Sequence, residues 1–267
     1  MLKSPTPLAW RTRWALLRLR RAPALAAGPA VRAMGLCFPG PLGLAAGFDR
    51  YGALCGHALR LGLGAIELGT LIPGQQRCRA RPPAARRRAV CGISIGKRPS
   101  TSWAQAEGDF LAGLAAHAAA ADYLVLNPGR DCPGPQRFAE VLACLAQRRG
   151  RRPLPLVAKL PAAWLAGSAA PEIAASLVGA GAAGLLISAE GADEATATLR
   201  RLARALGRQV CLISVGGIRT AAEARARLAA GAHLLQVHRC LSKRGPSPVE
   251  AINRAVLQSR SGAPRSR

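Results

Sequence analysis

The sequence is poor in lysine, in acidic residues and in aromatic residues. Only four of its 38 basic residues are lysines, its 13 acidic residues leave a formal net charge of +25, and aromatic residues make up 4% of the chain. The arginines are spread along a chain crowded with Ala, Gly and Pro, so we attribute most of the excess charge to composition. Because proteins that bind single-stranded nucleic acid interleave aromatic with basic side chains, charge-driven nucleic-acid binding is the least favoured of our functional hypotheses.

Metal-binding motifs and membrane spans are also lacking. The eight cysteines are at least twelve residues apart, so no CxxC pair is available for zinc or an iron–sulfur cluster. No apolar run approaches the roughly 18 residues of a membrane span. Arginines interrupt the basic N-terminal region before any apolar run reaches the length of a signal peptide. We therefore predict a protein without a metal site, in the reducing cytoplasm.

Short apolar runs alternate with Ala-rich or Leu-rich stretches of helical length along most of the chain, which is typical of βα units. Eight continuous apolar runs favour a closed (β/α)8 TIM barrel, with an open doubly wound sheet as the alternative. No GxGxxG opens the first unit, which disfavours a dinucleotide-binding sheet. The predicted strands are Leu42–Gly47, Ala65–Thr70, Val90–Gly96, Tyr123–Asn127, Leu156–Leu160, Gly184–Ser188, Val210–Gly216 and His233–His238. The predicted helices are Leu54–Leu61, Trp103–Ala120, Gln136–Arg148, Ala170–Ala180, Asp193–Leu206, Ala221–Ala230 and Pro248–Gln258.

Polar residues and glycines end the predicted strands, and in a (β/α)8 barrel the chemistry collects at these ends. The last two strands end in a Gly216-Gly217 pair and in His238-Arg239. Bare backbone N–H groups at the glycine pair, with Arg239 nearby, predict a phosphate site, the alternative being a simple tight turn. Thr220 begins a capping box ahead of the following helix.

Two further predicted strands carry a single polar residue at or near their ends. Lys159 is an isolated cation inside an otherwise apolar run and needs an anionic or electron-rich partner. That partner is either a reduced flavin, which carries negative charge near N1, or a carboxylate of Glu67 or Glu190. Asn127 either contacts a bound ring through its amide or forms a turn before Pro128.

A family resemblance begins at the segment Met34–Arg50, which reads MGLCFPGPLGLAAGFDR and resembles the membrane-associated, quinone-linked class of dihydroorotate dehydrogenases. The resemblance covers residues 34–252 and continues in order through residues 64–70, 92–97, 123–127, 157–159, 215–218 and 229–237. It implies a (β/α)8 barrel that binds FMN and oxidises dihydroorotate to orotate in pyrimidine biosynthesis. A base removes a proton from C5, hydride passes from C6 to flavin N5, and quinone accepts the electrons.

The resemblance also implies which residues bind the cofactor. Ser94 stands where the family usually has Asn, and Ser188 stands where it has Thr, and both side chains can still form hydrogen bonds. With the strand-end residues, the predicted cofactor-binding set is Ala46, Gly47, Thr70, Ser94, Asn127, Lys159, Ser188, Gly216, Gly217, His238 and Arg239.

The substrate side departs further from the family pattern. Arg50 replaces a family lysine, and with Asn127 it forms the predicted substrate-binding pair. The segment 75–88 lacks the Asn-rich stretch that grips the substrate in the family. The serine base of the quinone-linked class is also absent from residues 128–134, so we predict Cys132 as the catalytic base and Asp131 as a second candidate. The alternative is that Cys132 is a small turn residue. Ala189 stands where the family has Asn.

The N-terminal region carries a helical apolar stripe of Trp10, Trp14 and Leu17 among arginines. We predict peripheral contact with the cytoplasmic membrane through residues 8–21, the alternative being a solvated basic arm. The expected organisation is a basic segment at 1–33, a barrel at 34–258 and a basic tail at 259–267. A degenerate relative that keeps the barrel and at most its flavin is the main functional alternative to an active enzyme.

Overall fold

The computed structural model of the protein describes residues 24–74, 89–150, 154–189, 191–207, 209–238, 240–241 and 247–261. The strands of this part of the chain are β1 (Val31–Ala33), β2 (Leu36–Phe38), β3 (Leu42–Leu44), β4 (Ala65–Leu71), β5 (Val90–Ile95), β6 (Tyr123–Leu126), β7 (Leu156–Leu160), β8 (Gly184–Ser188), β9 (Cys211–Val215) and β10 (Leu234–Val237). Its α-helices are α1 (Ala106–His117), α2 (Pro135–Arg148), α3 (Ala162–Leu165), α4 (Ala170–Gly179), α5 (Ala192–Leu206), α6 (Ala221–Ala229) and α7 (Ser247–Ser261).

Strands β3 to β10 are parallel and close into a barrel in chain order, with β10 paired to β3. Closure is defined by the register of Leu235 opposite Leu42 on one side of β3 and Gly43 opposite Ala65 on the other. Helices follow most strands and cover the outside. The predicted (β/α)8 barrel is therefore confirmed, and the open sheet is excluded.

Side chains alternate between two cores along the barrel strands, as the period of two in a strand requires. One set faces the helices, and its members include Leu44, Ile66, Ile93, Leu124, Ala158, Ile187, Leu212 and Leu235. The other set fills the barrel: Ala65, Val90, Tyr123, Val125, Val157, Leu186, Cys211, Ile213 and Leu234. Both faces are apolar, which explains why the strands appear in the sequence as continuous apolar runs.

A hairpin of β1 and β2 closes the amino end of the barrel. Phe38 of this hairpin is fully buried with the interior residues, and its ring centroid lies 6.3 Å from that of Tyr123. The sequence analysis missed the hairpin because each of its strands is only three residues long. Its position leaves the carboxyl end of the barrel as the end that is available for a ligand.

The segment after β3 is not the predicted helix Leu54–Leu61. Its helical part is a single 3-10 turn at Cys55–His57. The Asp49 carboxylate accepts hydrogen bonds from the N–H groups of Gly52, Ala53 and Leu54 at 2.6–3.0 Å. These bonds wrap the chain around Asp49. The helical turn that follows stays short because Leu61 pairs with Leu25 and Gly62 has a φ of +71°.

Residues just before the hairpin are attached to the barrel. Leu25 forms a bridge to Leu61, and Asn253 of α7 donates hydrogen bonds to the carbonyls of Ala26 and Gly62 at 3.1 and 2.7 Å. Residues 8–21, with their predicted membrane contact, lie outside the described residues. Within the described residues, none of the helices combines the length and the apolar character that crossing a bilayer requires.

Candidate active site

Polar side chains gather at the carboxyl end of the barrel because of strand periodicity. Asn127 lies two residues after Val125, and Lys159 lies two residues after Val157, and both valines belong to the barrel interior. Since side chains two apart share a face of a strand, the polar residues continue the inward-facing set toward the open carboxyl end of the barrel. We call this end the mouth. The same spacing places three more polar residues on that face: Ser94, Ser188 and Gln236.

Three predicted site residues form one hydrogen-bonded group. The Thr70 and Ser94 hydroxyl oxygens are 3.0 Å apart. Asn127 Nδ2 donates to Thr70 Oγ1 at 2.9 Å, and Asn127 Oδ1 accepts the N–H of Gly129 at 3.2 Å. The amide of Asn127 is therefore fixed in orientation, and its turn with Gly129 is formed as well. The two readings of this residue are compatible.

The loop after β3, the first strand of the barrel, lies at the same mouth. The Gly47 N–H donates to the carbonyl of Gly69 at 2.8 Å. Gly47 has a φ of +95°, and a Cβ built there would lie 3.6 Å from His238 Nε2. Arg50 reaches back and donates through Nη2 to the Thr70 carbonyl at 3.3 Å, while its side chain stays exposed. The predicted residues of β3, β4 and β10 are thus neighbours.

A buried carboxyl group lies beneath the mouth. Glu67 is 1% exposed and accepts a hydrogen bond from Gln236 Nε2 at 2.6 Å. Burial raises the pKa of Glu67 to about 7, although the hydrogen bond from Gln236 and the charge of Lys159 both act to lower it. Burial also raises the pKa of the neighbouring Tyr123 hydroxyl well above its ordinary value.

The predicted carboxylate partner of Lys159 is only partly realised. The charge of Lys159 acts on Glu67, yet within the described residues its half-buried ammonium makes no ion pair within 4 Å. The other predicted partner, Glu190, lies outside the described residues. An ammonium at the mouth that has no close partner among the described residues is available to an anionic or electron-rich ligand.

The predicted phosphate site is the Gly216-Gly217 turn after β9, and we call it the phosphate corner. Gly216 and Gly217 have φ values of +96° and +68°, which favour glycine. In the described part of the chain, their N–H groups form no hydrogen bond with another residue. The capping box is confirmed: Thr220 Oγ1 accepts the Glu223 N–H at 3.2 Å, and Glu223 Oε2 accepts the Thr220 N–H at 2.8 Å. Arg239 lies outside the described residues.

The loop after β6 carries the two candidate bases. Lys97 Nζ lies 2.5 Å from Asp131 Oδ2, and the Lys97 side chain is only 5% exposed. This hydrogen bond lowers the pKa of the Asp131 carboxyl. The half-buried Cys132 thiol donates to the Gly134 carbonyl at 3.4 Å, and burial raises its pKa. Asp131 is therefore the readily ionised member of the pair, and Cys132 is not.

Two buried polar residues at this end were missed by sequence reasoning. Gln236 is 3% exposed, and Arg227 of α6 is 1% exposed. Gln236 has a detectable signal, because it is the single polar residue in a strand that reads LLQV. Arg227 has none, because Arg225 lies beside it in a helix with two basic residues.

The donor set at the mouth fits the FMN that the resemblance implies. Unbonded N–H groups at Gly216 and Gly217 suit a phosphate. The Lys159 ammonium suits the region near N1 of the flavin ring, which gains negative charge on reduction. The Asn127 amide suits the hydrogen-bonding atoms of the ring. Within the described residues, no group of three or more His, Cys, Asp or Glu side chains could hold a metal ion.

Comparisons with known proteins show the family to which the chain belongs. A family model described as dihydroorotate dehydrogenase matches residues 172–259. The dihydroorotate dehydrogenase (quinone) of Alkalilimnicola ehrlichii is 31% identical over 93% of this chain and 93% of its own length. That of Anaeromyxobacter dehalogenans is 33% identical over 91% of this chain and 84% of its own. The crystal structure of ligand-free DHODH from Eimeria tenella superimposes with a TM-score of 0.80 and 20% identity, over 97% of this chain and 96% of that one. The chain belongs to the dihydroorotate dehydrogenase family, in its quinone-linked class.

Proposed function

We propose that this protein is an FMN-dependent oxidoreductase that converts dihydroorotate to orotate in pyrimidine biosynthesis and passes the electrons to a quinone. The observation that carries the proposal is the convergence of Asn127, Lys159 and the Gly216-Gly217 pair on the mouth of one barrel. The relatives that share this barrel over most of the chain are named for the same reaction.

The residues around the mouth divide the binding of FMN among them. Gly216 and Gly217 offer N–H groups to the phosphate, with Ser188 at the end of the neighbouring strand. Arg239, which lies outside the described residues, is proposed from the sequence alone. Thr70, Ser94 and Asn127 present a fixed hydrogen-bonding edge to the ring. Ala46, Gly47 and His238 close the side formed by β3 and β10. When bound, FMN accepts the hydride that leaves C6 of dihydroorotate.

Lys159 and the substrate side then complete the chemistry. The Lys159 ammonium stabilises the negative charge that the ring system gains on reduction. Arg50 supplies a cation for the substrate carboxylate, and Asn127 contacts the substrate as well as the cofactor. A base in the loop after β6, Cys132 or else Asp131, takes the proton from C5 of the substrate.

Quinone use motivates a proposal for the N-terminal segment. The stripe of Trp10, Trp14 and Leu17 among arginines supports peripheral contact of residues 8–21 with the cytoplasmic membrane, where quinones dissolve. We keep the division into a basic segment, a barrel from residue 34 to 258 and a basic tail. Sedimentation with anionic vesicles tests the contact: the full chain is expected to sediment, and equal sedimentation of a chain without residues 1–23 would contradict it.

The degenerate relative is the second candidate. Two observations favour it: residues 128–134 lack a serine, and Ala189, where the family has Asn, is a buried apolar residue. Nucleic-acid binding has one observation behind it, a surface groove between α4 and α5 lined by Arg200, Arg201 and Arg204. No aromatic side chain lines that groove, so the stacking platform of a single-strand binder is missing there.

One experiment separates these functions. The purified chain, loaded with FMN, is mixed with dihydroorotate without oxygen, and the yellow absorbance of the flavin and the orotate formed are followed. We expect the colour to bleach with one orotate per flavin, and a water-soluble quinone to restore it. A yellow protein that dihydroorotate does not bleach supports the degenerate relative. A chain that cannot be loaded with FMN would remove both flavin-based readings.

A further inference from the structure

Arg227 is a buried cation next to the phosphate corner that the proposed function does not use. It lies on α6, the helix that follows the Gly216-Gly217 turn, and it is among the largest fully buried side chains of the described residues. Its Nη1 donates to Ser214 Oγ at 2.9 Å, and its Nη2 lies 3.3 Å from the carbonyl oxygen of Gly191 and 3.4 Å from that of Gly216.

All of these acceptors are neutral, and within the described residues Arg227 makes no ion pair. A cation buried without an anion is unfavourable, and burial correspondingly lowers the pKa of this guanidinium. The charge of the Glu223 carboxylate on the same helix acts in the opposite direction and raises that pKa. That carboxylate is already bound to the N–H groups of Arg219 and Thr220, at 2.7 and 2.8 Å.

The contact with Gly216 has a directional consequence for the phosphate corner. The carbonyl and the N–H of a trans peptide point in opposite directions. Because Arg227 draws the Gly216 carbonyl toward α6, the N–H of Gly217 in the same peptide points away from α6. The bonds to Ser214 of β9 and to Gly191, which directly precedes α5, hold the guanidinium from two separate segments and so maintain this orientation.

We infer that Arg227 is a positioning residue that makes the site select the phosphorylated flavin, FMN, over riboflavin. It aims the Gly217 N–H at the phosphate, and its charge lacks a counter-ion among the described residues until a phosphate binds nearby. The inference deepens the proposed function and rests on it. The recognition is for a phosphate monoester attached to the flavin, and the isoalloxazine ring contributes equally with either ligand.

The test compares FMN with riboflavin, which differs by the phosphate alone. Cofactor-free wild type, Arg227→Met and Arg227→Lys are titrated with each flavin, and the dissociation constants are obtained from flavin fluorescence. Losing the charge, and with it the orientation of the Gly217 N–H, is expected to weaken FMN binding to Arg227→Met by about 10- to 100-fold while riboflavin binding changes by less than about 3-fold. Lysine keeps the charge, but its single nitrogen cannot span the acceptors that Nη1 and Nη2 reach separately, so Arg227→Lys should lie between Arg227→Met and wild type.

Arg225→Met is the matched control, since it removes the same charge from an exposed position of the same helix. It is expected to leave both affinities unchanged. Thermal melting of each cofactor-free variant, compared with wild type, shows whether the substitution acts only by destabilising the fold. The inference would be overturned if Arg227→Met weakened FMN binding and riboflavin binding equally, or if it kept the wild-type preference for FMN over riboflavin. If Arg227→Met does not fold, the ratio of the riboflavin and FMN dissociation constants in Arg227→Lys decides instead. A wild-type chain that binds neither flavin would contradict the proposed function itself and the inference with it.

Discussion

Among the described inward-facing residues at the mouth, Lys159 is the only charged side chain besides the buried Glu67. Replacing it with Met keeps the length of the side chain and removes the charge. A charge-assisted interaction of about 1.5–3 kcal/mol with the reduced cofactor corresponds to a reduction potential roughly 30–65 mV more negative in the variant. Spectroscopic titration against reference dyes measures it. Lys159→Arg should retain most of the wild-type potential, and a Met variant with an unchanged potential would refute this role.

Glu67 makes the stability of the cofactor-free chain depend on pH. Its pKa is raised from 4.5 to about 7 in the folded state, so the folded chain keeps a proton that the unfolded chain loses. The free energy of unfolding should therefore fall as the pH rises from about 4.5 to 7, by roughly 3 kcal/mol for this group. Urea unfolding at a series of pH values should show a shallower fall for Glu67→Gln. Glu172→Gln, at an exposed position, should keep the wild-type slope. Identical slopes in Glu67→Gln and wild type would show that Glu67 is not the group responsible.

The two candidate bases differ in the pH profile that they produce. Burial raises the pKa of Cys132, whereas the hydrogen bond from Lys97 lowers that of Asp131. If Cys132 is the base, the rate of flavin reduction by dihydroorotate should rise about tenfold per pH unit from pH 6 to 8, because the thiolate fraction rises so. Stopped-flow reduction measures the rate, and Cys132→Ala should abolish the rise. A profile that stays flat above about pH 5 would assign the base to Asp131 instead.

At the scale of single strands, Gly92 of β5 and Tyr123 of β6 depend on each other. A Cβ at Gly92 would lie 2.2 Å from the Tyr123 ring, so the barrel interior has room for the ring only because Gly92 has no side chain. Overpacking by Gly92→Ala should lower the free energy of unfolding by about 1–3 kcal/mol. Gly108→Ala on α1 meets no atom within 4 Å and should instead stabilise the chain by up to about 1 kcal/mol. Chemical denaturation of the two variants measures both changes, and equal stabilities would contradict this packing argument.

At the scale of elements, the sequence predicted the features that depend on strand periodicity and on capping residues. Asn127 was identifiable because it ends an apolar run, Lys159 because it is an isolated cation inside one, and the Thr220 capping box because its spacing is specific. The β1–β2 hairpin and the Asp49-centred turn could not be predicted, because they depend on contacts between distant segments or on loop hydrogen bonds. Arg227 could not be distinguished from a surface arginine, since burial against the ends of two strands leaves no local pattern.

The whole molecule is a barrel with one closed end and one polar end. Phe38 and the hairpin fill the amino end, so the interior polar groups are approached from the carboxyl end. The net charge of +25 does not define this site, because the inward-facing set combines Lys159 with a buried carboxyl and neutral hydrogen-bonding groups. Fold and cofactor chemistry follow from alternation along the strands. Residues 75–88, where the family resemblance expects a substrate-binding stretch, lie outside the described part of the chain.

The central claim is that the polar strand ends enclose one flavin, and a crystal structure of the chain grown with FMN tests it most directly. The account predicts the isoalloxazine ring against Asn127 and Lys159, with the phosphate on the N–H groups of Gly216 and Gly217. Flavin bound elsewhere on the protein, or a barrel mouth filled by side chains with no flavin in it, would contradict the account.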